Sequence, residues 1–434
     1  MKILYISFFY PPFNTIGGMR SFGQVKALTD MGCDVKVISC ADQGFEINHD
    51  FDKKSLSNVI YKNKPYSSRL IKIIDSASKL SSRKKFKTLA LRLFPKFLLR
   101  MISLFQTLIF FGQDNPGWIK AVLQDYKKDL GDWSPDIVFS TFSPIDSHII
   151  ASKISSNLNI RWAAEFRDCW SFNTMLFSKK ESELSAKILR AMERKILSNC
   201  SIIFAATPFI KTYYERHHLK ETELLLGGWE EQNKVNNEKP PSQNYIFDDT
   251  NRSIINRIKI LHLGSMLHGT RSILPIVQML EGNPALKERF EFEFVGRDST
   301  IFQPILNKSS AKDSITLFDH VSFNEAEKLG YSSDILLVMM KNSSMEKYTL
   351  TGKIFEYIKF SKPIISLDPY NSEVSALIKK YKLGYHVKNI DEFQYLLKSK
   401  SQLSEYKKAD EKTRLEFKRA NQMRKVLKRL KDFA

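Results

Sequence analysis

The stretch Tyr348-Thr-Leu-Thr-Gly-Lys-Ile-Phe-Glu-Tyr-Ile-Lys-Phe-Ser-Lys-Pro-Ile-Ile365 reads as a loop, a helix, a tight turn and a buried strand. Thr351 is expected to cap the helix, because its hydroxyl is able to accept from an orphan N–H of the first turn. Free N–H groups and the positive end of the helix dipole suit a phosphate. Glu356 lies one turn further on, in a helix whose apolar side is Ile354, Phe355 and Ile358. A carboxylate one turn beyond a phosphate site is well placed to accept from sugar hydroxyls. The competing reading of the same letters is an ordinary helix–strand unit with a surface glutamate.

Similar helix–strand alternation runs outward in both directions. Lys2 to Phe9 reads as a strand, followed by a loop that carries Pro11-Pro12 and Gly17-Gly18. A helix is expected from Ser21 to Met31, stopped at Gly32, and a strand from Asp34 to Ser39. A strand–helix–strand start of this kind implies a parallel sheet. Further strands are expected at Ile137 to Thr141, before a loop with Ser143 and Asp146, and at Arg161 to Phe166, which ends at Arg167-Asp168-Cys-Trp170. Residues 229–257 include Asn-Asn-Glu-Lys-Pro-Pro-Ser-Gln-Asn and read as an exposed linker.

A second series follows. It has strands at Ile258 to Leu263, running into Gly264, at Phe290 to Val295, at Ile315 to Phe318, at Asp334 to Met340 and at Gly384 to Val387. The expected organisation is an N-terminal domain over 1–228, the linker, a second domain over 258–405, and a basic helical tail over 406–434 that packs back on the first domain. Ligands of parallel sheets sit beyond the carboxyl ends of the strands, which in a two-domain α/β chain predicts a site in the cleft between the domains.

A chain of 434 residues exceeds one core, and 43% hydrophobic with 26% charged residues is globular composition. The cysteines Cys33, Cys40, Cys169 and Cys200 show neither metal-ligand spacing nor a disulfide framework, which fits reduced thiols in a cytosolic protein. The apolar start reads as a first strand rather than a signal peptide, and no uncharged run is long enough to span a bilayer. The net charge of +20 calls for an acidic partner. Between Lys62 and Arg100 twelve Lys or Arg stand against the single acid Asp75, interleaved with and followed by Leu, Ile and Phe. That is the composition of a helix lying in an anionic membrane surface, expected over about 62–112. No nucleic-acid motif accompanies it. The alternative is that its apolar side belongs to the protein's own core.

In order and spacing, six segments resemble the GT-B glycosyltransferases, specifically the retaining family 4 enzymes of bacterial surface polysaccharide synthesis. They are the opening strand with Pro11-Pro12 and Gly17-Gly18; Glu165-Phe-Arg-Asp-Cys-Trp170; Leu224-Leu-Leu-Gly-Gly-Trp229; Leu261-His-Leu-Gly264; Phe292-Glu-Phe-Val-Gly296; and Thr351-Gly-Lys-Ile-Phe-Glu-Tyr357 with Lys362-Pro363. The resemblance implies an α/β chain of two Rossmann-like parallel-sheet domains facing a cleft. It implies transfer of a sugar, with retention, from a UDP- or GDP-sugar to a lipid-linked saccharide such as an O-antigen, capsule or exopolysaccharide precursor. The protein would work on the inner face of the cytoplasmic membrane, with no metal or other cofactor and no nucleic acid. Other readings of the same fold are a nucleotide-sugar epimerase and a non-catalytic scaffold.

The resemblance also distributes roles. Gly17, Gly18 and Arg20 are expected at the diphosphate or donor sugar, with Gly264, Arg271, Thr351, Gly352 and Lys353 around the phosphates. Val321 would hold the nucleobase through its backbone, and Glu356 the ribose. Arg167 and Asp168 are the catalytic candidates, Asp168 as acceptor ligand or base. Ser143, Asp146 and Trp170 are expected to line the acceptor pocket. One departure stands out: where the family carries a first glutamate, eight positions before Glu356, this chain has Tyr348.

Overall fold

The computed structural model describes residues 1–13, 15–47, 51–63, 115–172, 183–218, 220–230, 257–266, 271–341, 347–399, 403, 406 and 410–433. The basic insert expected over 62–112 lies outside these from residue 64 onward. The chain forms two compact units, one of Met1–Leu226 with Met423–Ala434 and one of Gly227–Gln422.

The first unit is built on seven parallel strands: β1 (Lys2–Ile6), β2 (Asp34–Cys40), β3 (Val59–Lys62), β4 (Ile137–Thr141), β5 (Arg161–Phe166), β6 (Ile202–Ala205) and β7 (Thr222–Leu224). Their order in the sheet is β3-β2-β1-β4-β5-β6-β7. The helices are α1 (Ile16–Asp30), α2 (Pro116–Leu130), α3 (Asp146–Leu158), α4 (Glu183–Ile196) and α5 (Pro208–His218). The central strands read as nearly continuous apolar runs because both faces of a parallel sheet are covered. Ile3 to Ile6, Ile137 to Thr141 and Trp162 to Phe166 are all buried. Inside this core the Trp162 Nε1 donates to Ser140 Oγ at 2.7 Å, and that hydroxyl lies 2.8 Å from His148 Nδ1.

The second unit has six parallel strands: β8 (Ile258–Leu263), β9 (Phe290–Val295), β10 (Ile315–Phe318), β11 (Ile335–Met339), β12 (Ile364–Leu367) and β13 (Gly384–Val387), in the order β10-β9-β8-β11-β12-β13. Its helices are α6 (Leu274–Glu281), α7 (Pro284–Arg289), α8 (Gln303–Leu306), α9 (Phe323–Ser332), α10 (Lys353–Phe360), α11 (Glu373–Lys380), α12 (Ile390–Lys398) and α13 (Glu411–Glu416). A last helix, α14 (Arg419–Phe433), begins in the second unit and ends in residues grouped with the first. No helix of the described residues is long and apolar enough to cross a membrane.

Four elements differ from expectation. Helix α1 starts at Ile16, so Gly17, Gly18 and Arg20 stand in the helix rather than in a loop; Thr15 caps it, its Oγ1 accepting from Gly18 N at 3.0 Å. The strands β3 and β7 were not expected; both lie at edges of the first sheet, and β3 is half-buried along its length. The basic tail is interrupted at Phe417 and Lys418, where Phe417 is fully buried and its carbonyl accepts from Trp229 N at 3.0 Å.

Truncation of Trp162 tests the first core. The side chain is fully buried, and its loss also strands the Ser140–His148 pair. Trp162→Ala should lower stability by about 3–5 kcal/mol. A thermal midpoint within a degree or two of the parent protein would contradict this packing.

Candidate functional site

In the second unit the chain order reverses beside β8, between β11 and β9. A doubly wound sheet opens a crevice at such a point. Here the opening is visible in the register. β8 and β11 pair only at Ile335 with Ile260 and Leu336 with Leu261. Beyond that, side chains take over the backbone groups. The Tyr357 hydroxyl accepts from Leu263 N at 2.7 Å and donates to Leu337 O at 3.3 Å. His262 Nδ1 lies 2.8 Å from the same carbonyl, and burial pushes this imidazole down to about 3, which keeps it neutral.

Lys353 opens helix α10 and reaches over this split. Gly264, at the end of β8, has φ +146, and a Cβ there would lie 1.4 Å from the Lys353 Nζ. Only glycine satisfies both the backbone angle and the space. Arg271 is held close by, its Nε donating to Met339 O at 2.9 Å. Burial and then the Arg271 charge push the Lys353 ammonium down to about 8. Among the described residues Lys353 has no hydrogen-bond or ion-pair partner. Two neighbouring cations, one without an acid, at the first turn of a helix make a site for a doubly charged phosphate group.

Glu356 follows one turn along α10. It too lacks a hydrogen bond or ion pair among the described residues. Burial raises its carboxyl to about 7, Lys359 and Arg419 acting against that shift and Glu230 and Glu327 adding to it. A carboxylate kept in so unfavourable a place, with its lone pairs unused, suits hydroxyl donors from a ligand. Thr351 does not cap α10. The cap position is Gly352, without a side-chain bond, and the Thr351 backbone carbonyl accepts from Ile354 N instead. That leaves the first-turn N–H groups without a side-chain cap of their own. Val321 sits half-buried in the loop after β10, next to the Ser322–Glu325 capping box of α9. Tyr348 is half-buried in the segment before α10. An open cavity lined by Lys379, Lys382, Tyr385 and His386 lies elsewhere, at β13, and includes none of these residues.

In the first unit the corresponding reversal is between β1 and β4. Gly17 again makes room for a cation from later in the chain, here just after β5: a Cβ there would lie 2.6 Å from Arg167 Nη1. At Gly18 a Cβ would meet the Thr15 hydroxyl at 2.6 Å. The Arg167 guanidinium is further fixed by the carbonyls of Phe142 and Ser143. Asp168 is exposed beside it, and Trp170 is buried.

Two expected roles change here. Arg20 turns inward, giving Nε and Nη2 to Glu165 Oε1 at 2.9 and 2.6 Å. Asp146 is fully buried and accepts from Asn115 N at 2.8 Å, so it anchors the start of α2 rather than lining an acceptor pocket.

Sequence reasoning missed the residue that ties this half together. Glu165 is fully buried and also accepts from Gln24 at 2.8 Å. Burial alone would raise its carboxyl, yet the charges of Arg20 and Arg167 hold it below the usual range. The signal was present: a glutamate inside the apolar run Arg161-Trp-Ala-Ala-Glu-Phe166 needs a buried partner. A second buried carboxylate, Glu193, accepts from Ser171 at 2.5 Å and Tyr214 at 2.6 Å, and so fixes the segment that follows Asp168 and Trp170.

No family model matches the chain, and no curated protein matches it. Solved structures do. Sucrose-phosphate synthase from Thermosynechococcus elongatus superposes with a TM-score of 0.60 at 14% identity, over 100% of both chains. The Anabaena HepE protein in complex with UDP-glucose gives 0.57 at 11%, again over 100% of both. WaaG, a glycosyltransferase involved in lipopolysaccharide biosynthesis, gives 0.54 at 14%, over 98% of this chain and 95% of that one. At such identities the likeness establishes the fold, GT-B, with its two Rossmann-like parallel-sheet units.

The raised carboxyl of Glu356 has a signature in stability. The unfolded chain loses this proton in the ordinary carboxyl range and the folded chain only near pH 7. Between those limits the folded state binds more protons, so stability falls as pH rises and the full penalty stands above pH 7. Glu356→Gln should therefore raise the melting temperature at pH 8, with the gain shrinking toward pH 5. A destabilised variant at pH 8 would show that the carboxylate is held by structural partners instead.

Proposed function

We propose that the protein is a glycosyltransferase that moves a sugar from a nucleoside diphosphate sugar to a saccharide acceptor. The observation that carries this reading is the Lys353 ammonium resting on Gly264 beside Arg271, with Glu356 one turn away on the same helix, neither having a hydrogen-bond or ion-pair partner among the described residues. The pair of cations takes the diphosphate, and Glu356 accepts from the ribose hydroxyls. Val321 lies at the strand end where the base would be read. The GT-B fold shared with a UDP-glucose-bound protein is consistent with that ligand class.

The chemistry follows from charge. As the bond from the anomeric carbon to the phosphate oxygen breaks, negative charge grows on the leaving diphosphate. Lys353, Arg271 and the first turn of α10 stabilise it without needing a metal ion. The acceptor oxygen bonds to the same face of the oxocarbenium-like carbon, and its proton passes to the departing phosphate. This retaining course needs no protein nucleophile. Arg167 and Asp168, at the end of β5, are the residues we assign to the acceptor hydroxyl. The acceptor we propose is lipid-linked, in bacterial surface polysaccharide synthesis, and the basic and apolar composition of residues 62–112 supports work at an anionic membrane face.

Calorimetry tests the phosphate site. An ammonium that ionises near 8 gains its full charge when a diphosphate arrives. Near pH 9 UDP or GDP binding should therefore take up protons, seen as a dependence of the measured enthalpy on buffer. Lys353→Met should abolish the uptake and weaken binding at least tenfold, about 1.4 kcal/mol or more. Binding of undiminished strength in that variant would refute the assignment. Metal independence is tested separately. Turnover of a UDP- or GDP-sugar should survive EDTA, and loss restored by Mg²⁺ or Mn²⁺ would overturn the charge argument.

A further inference from the structure

The second unit contains a charged cluster around Glu356 that the phosphate site does not use. The chain enters this unit at Gly227 and leaves it after Gln422. Those two segments lie against each other. Trp229 N donates to Phe417 O at 3.0 Å, and Arg419 N donates to Trp229 O at 2.9 Å. The Trp229 indole is buried, its Nε1 donating to Arg414 O at 3.1 Å, with Arg414 and Lys418 over its ring. At Gly228 a Cβ would meet the Arg419 Cα at 2.8 Å, and at Gly227 one would meet the Phe355 ring at 2.2 Å. The pair of segments is thus seated directly on α10, the helix that carries Glu356.

Four charged groups act on Glu356: Lys359 and Arg419, Glu230 and Glu327. Lys359 is nearly fully buried and already bonded to Glu327. Arg419 gives its Nε to Glu230 and its Nη2 to Gly228 O at 2.6 Å. Each cation is therefore committed to an acid other than Glu356. Among the described residues the cluster holds three carboxyls and two cations, and Glu356 is the acid left over. Glu230 is the more dispensable partner of Arg419, because 38% of its side chain is exposed and water replaces the lost bond.

We propose that Arg419 is a positioning residue that sets the ionisation of Glu356, and that Glu230 competes with Glu356 for its charge. The crossing segments of the chain would then tune the carboxylate that receives the ribose. The ionisation half of this inference stands on the cluster alone. Its consequence for binding rests on the reading of Glu356 as a nucleotide ligand.

Three variants of the full chain test it: Glu230→Gln, Arg419→Gln and Arg419→Lys. In each background the pH at which the Glu356→Gln stabilisation sets in gives the titration of Glu356 without any ligand. Glu230→Gln should move that midpoint down, and Arg419→Gln should move it up. Each shift should be roughly half a unit to one unit, about a three- to tenfold change in ionised fraction near neutral pH. Arg419→Lys keeps the charge and should hold the midpoint close to the parent's. A merely structural role for Arg419 would lower stability at every pH without moving the midpoint. Midpoints that stay put, or that move the same way in the Glu230→Gln and Arg419→Gln proteins, would overturn the proposal. UDP or GDP affinity at pH 7 should follow the midpoint, rising in Glu230→Gln and falling in Arg419→Gln. If the midpoints shift as expected while affinity does not, the inference stands and the assignment of Glu356 to the ligand fails.

Discussion

The Lys353 ammonium lying in the space of an absent side chain at Gly264 is the contact on which the rest of the second unit turns. It requires glycine at the end of β8, a helix that starts with lysine, and a sheet that opens where β8 and β11 part. Tyr357 keeps that opening satisfied, since its one hydroxyl serves backbone groups on both separated strands. The result is a half-buried cation beside a second cation, its ammonium pushed down to about 8 by burial and by the Arg271 charge. That state is costly for an isolated fold and favourable only when an anion completes it.

The first unit repeats the device with different letters. Gly17 admits the Arg167 guanidinium as Gly264 admits Lys353. The difference lies in compensation. Arg167 has the fully buried Glu165 nearby and two carbonyls on its donors, whereas among the described residues Lys353 has none of these. Among the described residues the first unit thus supplies an acid to its arginine, and the second supplies none to Lys353. This asymmetry is what supports the proposal of a nucleoside diphosphate site in the second unit and an acceptor site in the first.

Much of the fold was legible because parallel strands buried on both faces read as apolar runs. The limits of β4, β5, β8 and β9 agree with that pattern, and the edge strands β10 and β13 also fall where expected although each is only partly buried. The Lys353-to-Glu356 spacing was equally legible, since it is local to one helix. What the sequence hides is which distant side chain answers which charge. Asp146 after a strand looks the same whether it meets a ligand or Asn115, and only folding brings that partner, 31 residues away, into contact. Arg20 looks like a phosphate ligand until β5 places Glu165 beside it, 145 residues on. Arg419 meets Glu230 across 189 residues, a pairing that no periodicity encodes. The Thr351 cap failed for a smaller reason: the helix begins one residue later than a threonine cap would require, with Gly352 at the cap position.

The most direct measurement is a crystal structure of the chain grown with UDP or GDP. The account predicts the diphosphate within hydrogen-bond reach of Lys353 Nζ and the Arg271 guanidinium, and the ribose hydroxyls donating to Glu356. A nucleotide bound elsewhere on the chain, with Lys353 still resting unaccompanied on Gly264, would contradict it.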